Sequence, residues 1–293
     1  MKQLLKKLYQ IIPFKKQLFQ VVRFFWTPPY SVYKHLHFTG KMKVKIDDSK
    51  AFYIMHHGME IENDIFWRGL AEGWEATSMR IWIGLCKKAK VILDIGSNTG
   101  IYALTAKAIN PEAKVFAFEP LQQMFTKLSR NNEINDFDIV CVQKAVSNKN
   151  GKAIIYETGA DHIAAATLNV KMRAYSVLEK ETEVETITLD SFVDENDLVK
   201  IDLVKIDVET HEAAVLEGFK KLLPIHKPDF IIEVLTDEVG HEIQNIFDGL
   251  GYCYFNIDDK HNKTRRVDKI TKSDYFNYLF CSEITAKDLK LIP

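Results

Sequence analysis

The 293-residue sequence predicts an α/β fold: a doubly wound, mostly parallel sheet closing on an antiparallel terminal hairpin, with an N-terminal helical and mixed extension ahead of it. Three observations predict it. From residue 91 onward, strand-like runs alternate with helix-like runs, the rhythm of a parallel sheet with crossover helices. The first of those strands runs through a glycine-bearing turn straight into a helix. The chain finishes on two strand-like runs, "YCYFNI" and "YFNYLFC", with only the polar stretch "DDKHNKTRR" between them.

The elements follow in order. Leu4, Leu5, Leu8, Ile11 and Ile12 recur at helical spacing with lysines between them. Pro13 is expected to break or kink that helix, and Leu18, Val21, Val22 and Phe25 resume the same period. "KMKVKI" alternates like a strand and "AFYIMHHG" reads as another, with His56 and His57 on opposite faces, a poor geometry for one metal. "GWEATSMRIWIGLCKKA" has helical spacing. "VILDI", "KVFAFE" and "FDIVCVQKAV" are strands separated by the helices "TGIYALTAKAI" and "PLQQMFTKLSRNNEI", the second opened by a proline. "GKAIIYE" and "VETITL" read as two extra strands flanking an irregular piece, residues 158–182. "LVKIDV", "HEAAVLEGFKKLL", "PDFIIEVL" and "HEIQNIFDGL" restore the alternation.

Composition is that of a globular chain with a sizeable core, 46% hydrophobic and 27% charged. No apolar run is long enough for a membrane-spanning helix. Charge is unevenly spread. The first 50 residues hold eleven lysines and arginines against two acids, although the whole chain carries −1. Residues 1–26 therefore form a basic amphipathic stretch, suited to an anionic membrane surface or to packing on the main domain or a second subunit. The four cysteines, 86, 141, 253 and 281, lie far apart without metal-ligand spacing, which predicts free thiols in a reducing, cytoplasmic setting. The expected organisation is an extension and cap over residues 1–75 and a ligand-binding domain over 76–293.

The chemistry concentrates at "VILDIGSNTGIY", residues 91–102. Glycines let the backbone approach a ligand closely. A dinucleotide site would show G-x-G-x-x-G, but here Asn98 stands where the middle glycine belongs, and Asp94 would repel a pyrophosphate. A buried carboxylate is costly unless paired. The layout thus fits a nucleoside carrying a positive group, and S-adenosylmethionine is such a ligand. Asp94 suits its ammonium, the N–H groups around Gly96 and Ser97 suit its carboxylate, and Glu119, at the tip of the next strand, suits the ribose hydroxyls. Asp207 and Glu209, at the end of "LVKIDVE", lie at the sheet edge where such folds bind ligands. Strand alternation would place them on one side. His211 is a candidate base, because an ordinary histidine titrates near neutrality. Glu212 suits the helix dipole, and Glu233 is an acid inside an apolar strand facing the acceptor. Asp161 and His162 form a second acid–base pair within a candidate acceptor loop. Asp207, Glu209 and Glu233 could share a divalent ion, although the spacing does not require one and no metal is expected.

These segments resemble the FkbM family of S-adenosylmethionine-dependent methyltransferases over roughly residues 91–235. "LDIGSNTGIYAL" is similar to the family's D-x-G-A-N-x-G-x-Y segment, with Ser97 in place of alanine. "FAFEP" resembles its ribose-binding strand end, and "LSRNNEIN" its L-x-x-N-x-x-x-N helix end at Leu128, Asn131 and Asn135. "AVSNKNG", "TITLDSF", "LVKIDVETHEAAVLEGF" and "FIIEV" resemble later motifs, with Thr210 where the family usually has glycine. The resemblance implies the class I methyltransferase fold, seven strands with the last reversed. It also implies methyl transfer, usually to oxygen, on a sugar, glycolipid or natural-product-like small molecule. Asp94, Gly96, Ser97, Asn98, Gly100, Tyr102 and Glu119 become the expected donor-binding residues, and Asp207, Glu209 and His211 the expected catalytic ones. The expected partners are a small-molecule or glycan acceptor, with peripheral membrane contact through residues 1–26 on the inner face of a membrane, or a homo-oligomer, and no nucleic acid. The competing readings are a membrane-docked nucleoside-binding module with vestigial catalysis, and an NAD-type oxidoreductase, which the missing glycine disfavours.

Overall fold

The computed structural model describes residues 14–158, 166–167 and 178–293. The expected helix and break over residues 1–13, the Asp161–His162 pair and most of the 158–182 segment lie outside those residues.

The chain opens with helix α1 (Lys15–Phe25) and the short helix α2 (Tyr30–Tyr33). Strands β1 (Gly40–Lys45) and β2 (Ala51–His56) then pair as an antiparallel hairpin. In β1 the apolar Met42 and Val44 turn inward, while Lys41, Lys43 and Lys45 turn outward, the period-two pattern of a half-buried strand. Helices α3 (Glu60–Arg68) and α4 (Ala76–Cys86) follow. Their apolar faces join one continuous core with the main sheet, from Phe19, Trp67 and Trp82 through Ile92 and Ala103. Trp67 anchors the near end, with Phe19 and Phe66 rings packed 5.5 and 5.2 Å away.

Strand β3 (Val91–Ile95), helix α5 (Ile101–Ile109), strand β4 (Lys114–Phe118), helix α6 (Gln122–Glu133) and strand β5 (Val140–Val142) form the first half of the sheet. The short β6 (Ala145–Val146), β7 (Gly151–Thr158), β8 (Ala166–Thr167) and β9 (Leu178–Ile187) form a separate sheet in the order β6-β9-β7-β8. This is where the sequence places its two extra strands. Helix α7 (Leu189–Glu195), strand β10 (Leu203–Ile206), helices α8 (Glu212–Glu217) and α9 (Leu223–His226), strand β11 (Asp229–Glu233) and helix α10 (Asp237–Phe247) build the second half. Strands β12 (Cys253–Asp258), β13 (Lys263–Val267) and β14 (Asn277–Cys281) and helix α11 (Glu283–Asp288) finish the chain.

The main sheet runs β13-β12-β14-β11-β10-β3-β4-β5. Five neighbours, β11 to β5, are parallel. Strands β3 and β10 are buried on both faces, which is why they read as nearly unbroken apolar runs. The reversed strand β14 lies between β11 and β12, antiparallel to both. This is the seven-stranded class I arrangement, with β13 added at the edge. The stretch "DDKHNKTRR" is thus more than a loop, because its last four residues, Lys263–Arg266, together with Val267, pair with β12. An edge strand of lysine and arginine buries too little to show apolar alternation, and its charges guard the open edge.

The L-x-x-N-x-x-x-N end of α6 ties the hairpin to the sheet. Asn131 is fully buried, accepts from the Met55 N–H at 2.8 Å and donates to the Thr99 carbonyl at 2.9 Å. Asn135 holds both the N–H and the carbonyl of Tyr53.

Candidate active site

Strand order reverses between β3 and β10, where successive connections leave to opposite sides, so their C-terminal ends open a crevice. A cavity of roughly 580 Å³ lies there. The main sheet gives it Asp94, the Gly96–Thr99 turn, Tyr102, Glu119, Lys205, Asp207, Glu209, His211 and Glu233, and the extension gives it Tyr30, Tyr33, Glu60, Asp64, Arg68, Trp74 and Glu75.

The glycine turn is built by close backbone approach. Gly96 has φ 81°, and a Cβ there would meet the Asp207 carbonyl at 1.8 Å. Gly100, at φ 90°, lets Leu128 pack against the start of α5. One expectation is corrected here. The Gly96 and Ser97 N–H groups both donate to the Phe118 carbonyl, at 3.1 and 2.9 Å, so neither is available to a ligand carboxylate. The Ser97 hydroxyl caps the Asp94 carbonyl at 2.7 Å. What these atoms do is fix β3 to β4.

Asp94 is 2% exposed. Its Oδ2 accepts from the Ala103 N–H in the first turn of α5, at 3.0 Å, so part of its compensation is internal. Burial still raises its pKa to about 7, against the pull of Lys205. Glu119 is equally pre-set. Its two oxygens accept from the N–H groups of Asn98 and Leu121, at 3.0 and 2.9 Å, and burial raises its pKa to about 7. Asn98, at φ 50°, turns its backbone toward that carboxylate.

The catalytic expectations fare unevenly. Strand β10 ends at Ile206, so alternation does not carry Asp207 and Glu209 to one face. Glu209 and Thr210 instead take left-handed backbone, at φ 54° and 74°, because the chain must turn sharply before α8. Thr210 is the position where the family usually has glycine, and the conformation explains that preference. All the same, Asp207 and Glu209 both reach the cavity. Burial, with Asp207 nearby, raises Glu209 to about 7. His211 departs from the near-neutral base expected. Burial lowers it to about 4, and its Nε2 lies 2.9 Å from the Ser147 hydroxyl. Glu212 is the first residue of α8, as the dipole reading expects. Buried and raised to about 8, it accepts from the Val208 and Thr210 N–H groups at 3.2 Å and braces the turn.

Two residues escaped sequence reasoning. Lys205, 1% exposed in the middle of the parallel sheet, lies 3.3 Å from Asp207 Oδ2 and over the Tyr102 ring at 5.2 Å. Burial works against its charge, but Asp207, Glu75 and Glu233 outweigh it and raise its pKa. Glu75, from the extension, receives the Tyr102 hydroxyl. A lysine inside an otherwise apolar strand was the available signal for the first. The second stands at the start of α4, where an acid is ordinary, and gave none. Ligand oxygens of Glu75, Asp207 and Glu233 converge within 4.8 Å of one another, a geometry able to hold a cation, and Lys205 already places one there. Among the described residues, Glu233 Oε2 is buried without a hydrogen-bond partner.

Buried acid therefore exceeds buried base around this cavity, and that excess fits a cationic nucleoside and not a pyrophosphate. A crevice at the switch point, a glycine turn and acids at two adjacent strand ends define a class I methyltransferase domain. Residues 94–254, more than half of the chain, match the family described as Methyltransferase FkbM domain, and the chain belongs to that family. It is 29% identical over 149 residues to the hexuronic acid methyltransferase AglP of Haloferax volcanii, covering 51% of this chain and 58% of that one. It is 27% identical over 172 residues to the 2-O-methyltransferase NoeI of Sinorhizobium fredii, covering 54% and 68%. The alignment thus spans little more than half of the first relative. Among solved structures, the methyltransferase FkbM of Methylobacillus flagellatus is similar at 14% identity and a TM-score of 0.44, over 66% of this chain and 43% of that one.

Proposed function

We propose that this protein transfers a methyl group from S-adenosylmethionine to a hydroxyl oxygen of a sugar or sugar-bearing acceptor. The observation that carries the reading is the set of buried carboxylates, Asp94 and Glu119 first among them, facing one cavity at the switch point. The printed activities of the two curated relatives, on a hexuronic acid and at a 2-O position, support the acceptor class.

Bound in this cavity, the donor supplies an activated methyl group on a positively charged sulfur. The chain's own residues do the rest. Glu119, held by two backbone N–H groups, suits a pair of ribose hydroxyls. Asp94 suits an ammonium. Asp207, Glu209 and Glu233 line the cavity beyond the strand ends, where an acceptor hydroxyl must approach for in-line displacement. Glu209, which burial raises to about 7, is the candidate to take its proton, a better choice than His211, which burial lowers to about 4. In this reading residues 1–75 cap the donor-binding domain of residues 76–293 and close the acceptor end of the cavity.

The test is binding followed by turnover. Titration calorimetry should detect S-adenosylmethionine and its demethylated product, and not NADH. Labelled methyl should then pass to an alkali-stable ether on a panel of hexuronic acids and methyl glycosides. Absence of donor binding overturns the reading. Binding with transfer to nitrogen or carbon acceptors alone overturns the oxygen assignment.

A further inference from the structure

Helix α1 carries two apolar faces, and only one of them meets the body. Phe19 is 5% exposed and packs on Trp67, Val22 joins the same core, and the Arg23 guanidinium lies over the Phe66 ring at 5.6 Å. On the same side Lys16 donates to the Lys41 carbonyl at 2.6 Å, fixing α1 beside β1. Among the described residues nothing covers the other face. Phe14, Leu18, Val21 and Phe25 are 75, 49, 57 and 80% exposed. Their spacing of four, three and four residues puts them in one stripe along the helix. Phe24 and Trp26 extend it, also exposed.

We propose that this stripe docks the protein on an anionic lipid bilayer. A helix rich in exposed phenylalanine and tryptophan, flanked by lysine and arginine, lies in the boundary between headgroups and acyl chains. Charge selects the occupant. Lys34, Lys43 and Lys45 are exposed in the segments next to α1, and the first 50 residues hold eleven cations against two acids. An anionic surface complements that field. A second copy does not, because a two-fold interface would set the same basic patch against itself. The inference is independent of methyl transfer, but it gives that reaction a location. Tyr30 continues the exposed surface and also lines the cavity, so docking sets the cavity rim beside the headgroups.

The experiment is flotation of the full chain with vesicles of phosphatidylcholine, alone or mixed with phosphatidylglycerol. The expected result is binding to the mixed vesicles, at least about tenfold weaker to the neutral ones and weakened by salt. Leu18→Glu with Phe25→Glu should abolish it without lowering the melting temperature, since neither side chain packs on the body. Lys43→Glu with Lys45→Glu should weaken it about tenfold while leaving the stripe intact. Wild-type protein that stays with the soluble fraction, a double Glu variant that floats as well as wild type, or a solution dimer that the Glu substitutions dissociate would each overturn the proposal.

Discussion

The Tyr102 hydroxyl donates to Glu75 Oε2 at 2.5 Å, joining the first helix after the glycine turn to a residue of the extension. Around this pair lie Lys205, Asp207 and Glu233, so groups from α5, β10, β11, the turn after β10 and the N-cap of α4 share one field.

Lysine 205 is the buried cation of that field, and its loss has a calculable sign. Lys205→Met leaves three converging carboxyl groups without a counter-charge, and a stability loss of about 3–5 kcal/mol is expected by urea unfolding. Glu75→Gln removes one acid from an acid-rich cluster and keeps an acceptor for Tyr102. Its expected change is within about 1 kcal/mol. A Glu75→Gln protein as unstable as Lys205→Met would show that the cluster is balanced and not acid-rich.

Donor affinity should depend on pH. Asp94, Glu119 and Glu209 have folded pKa values raised to about 7 by burial, so between about pH 5 and 7 the folded state holds protons that the unfolded chain has released. These groups therefore make the ligand-free protein lose stability as pH rises through that window. Ionised, they attract a cation. S-adenosylmethionine and its demethylated product both keep the ammonium that Asp94 suits and the ribose that Glu119 suits, so both should bind more tightly at pH 8 than at pH 6. Affinities for the two ligands that stay flat from pH 6 to 8 in calorimetry would contradict the assignment.

Glu119 is expected to carry the ribose. Glu119→Ala should weaken binding of the demethylated product at least about tenfold, the equivalent of one charge-assisted hydrogen bond. Unchanged affinity in a folded variant would remove that assignment.

Asn131 is expected to matter for stability more than for chemistry. Asn131→Ala strands the Met55 N–H and the Thr99 carbonyl inside the protein, at a cost of about 2–4 kcal/mol. Chemical denaturation reads the loss directly. A loss below about 1 kcal/mol would mean that water replaces both bonds.

Much of this was legible in sequence because the decisive residues break a local pattern. Asp94 and Glu233 stand out in strands that burial makes apolar, and Gly96 and Gly100 stand out before a helix. The parallel, doubly wound class could be anticipated from the strand–helix rhythm, and the reversed last strand from the family resemblance. Other features left no local trace. Glu75 and Tyr102 meet across the fold, and no spacing encodes that. His211 looks like a neutral-pH base until burial is known. The Gly96 and Ser97 N–H groups look free until β4 is set beside them. Strand β13 has the composition of a loop, since an edge exposed to water does not demand apolar side chains.

The placement of β14 has a consequence for how the molecule comes into being. Residues 277–281 slot between two strands made earlier in synthesis, and every one of the five is buried. Until that late segment emerges from the ribosome, β11 offers an unpaired, oily margin to whatever is nearby. Residues 277–281 thus decide when the nascent sheet stops being vulnerable to aggregation.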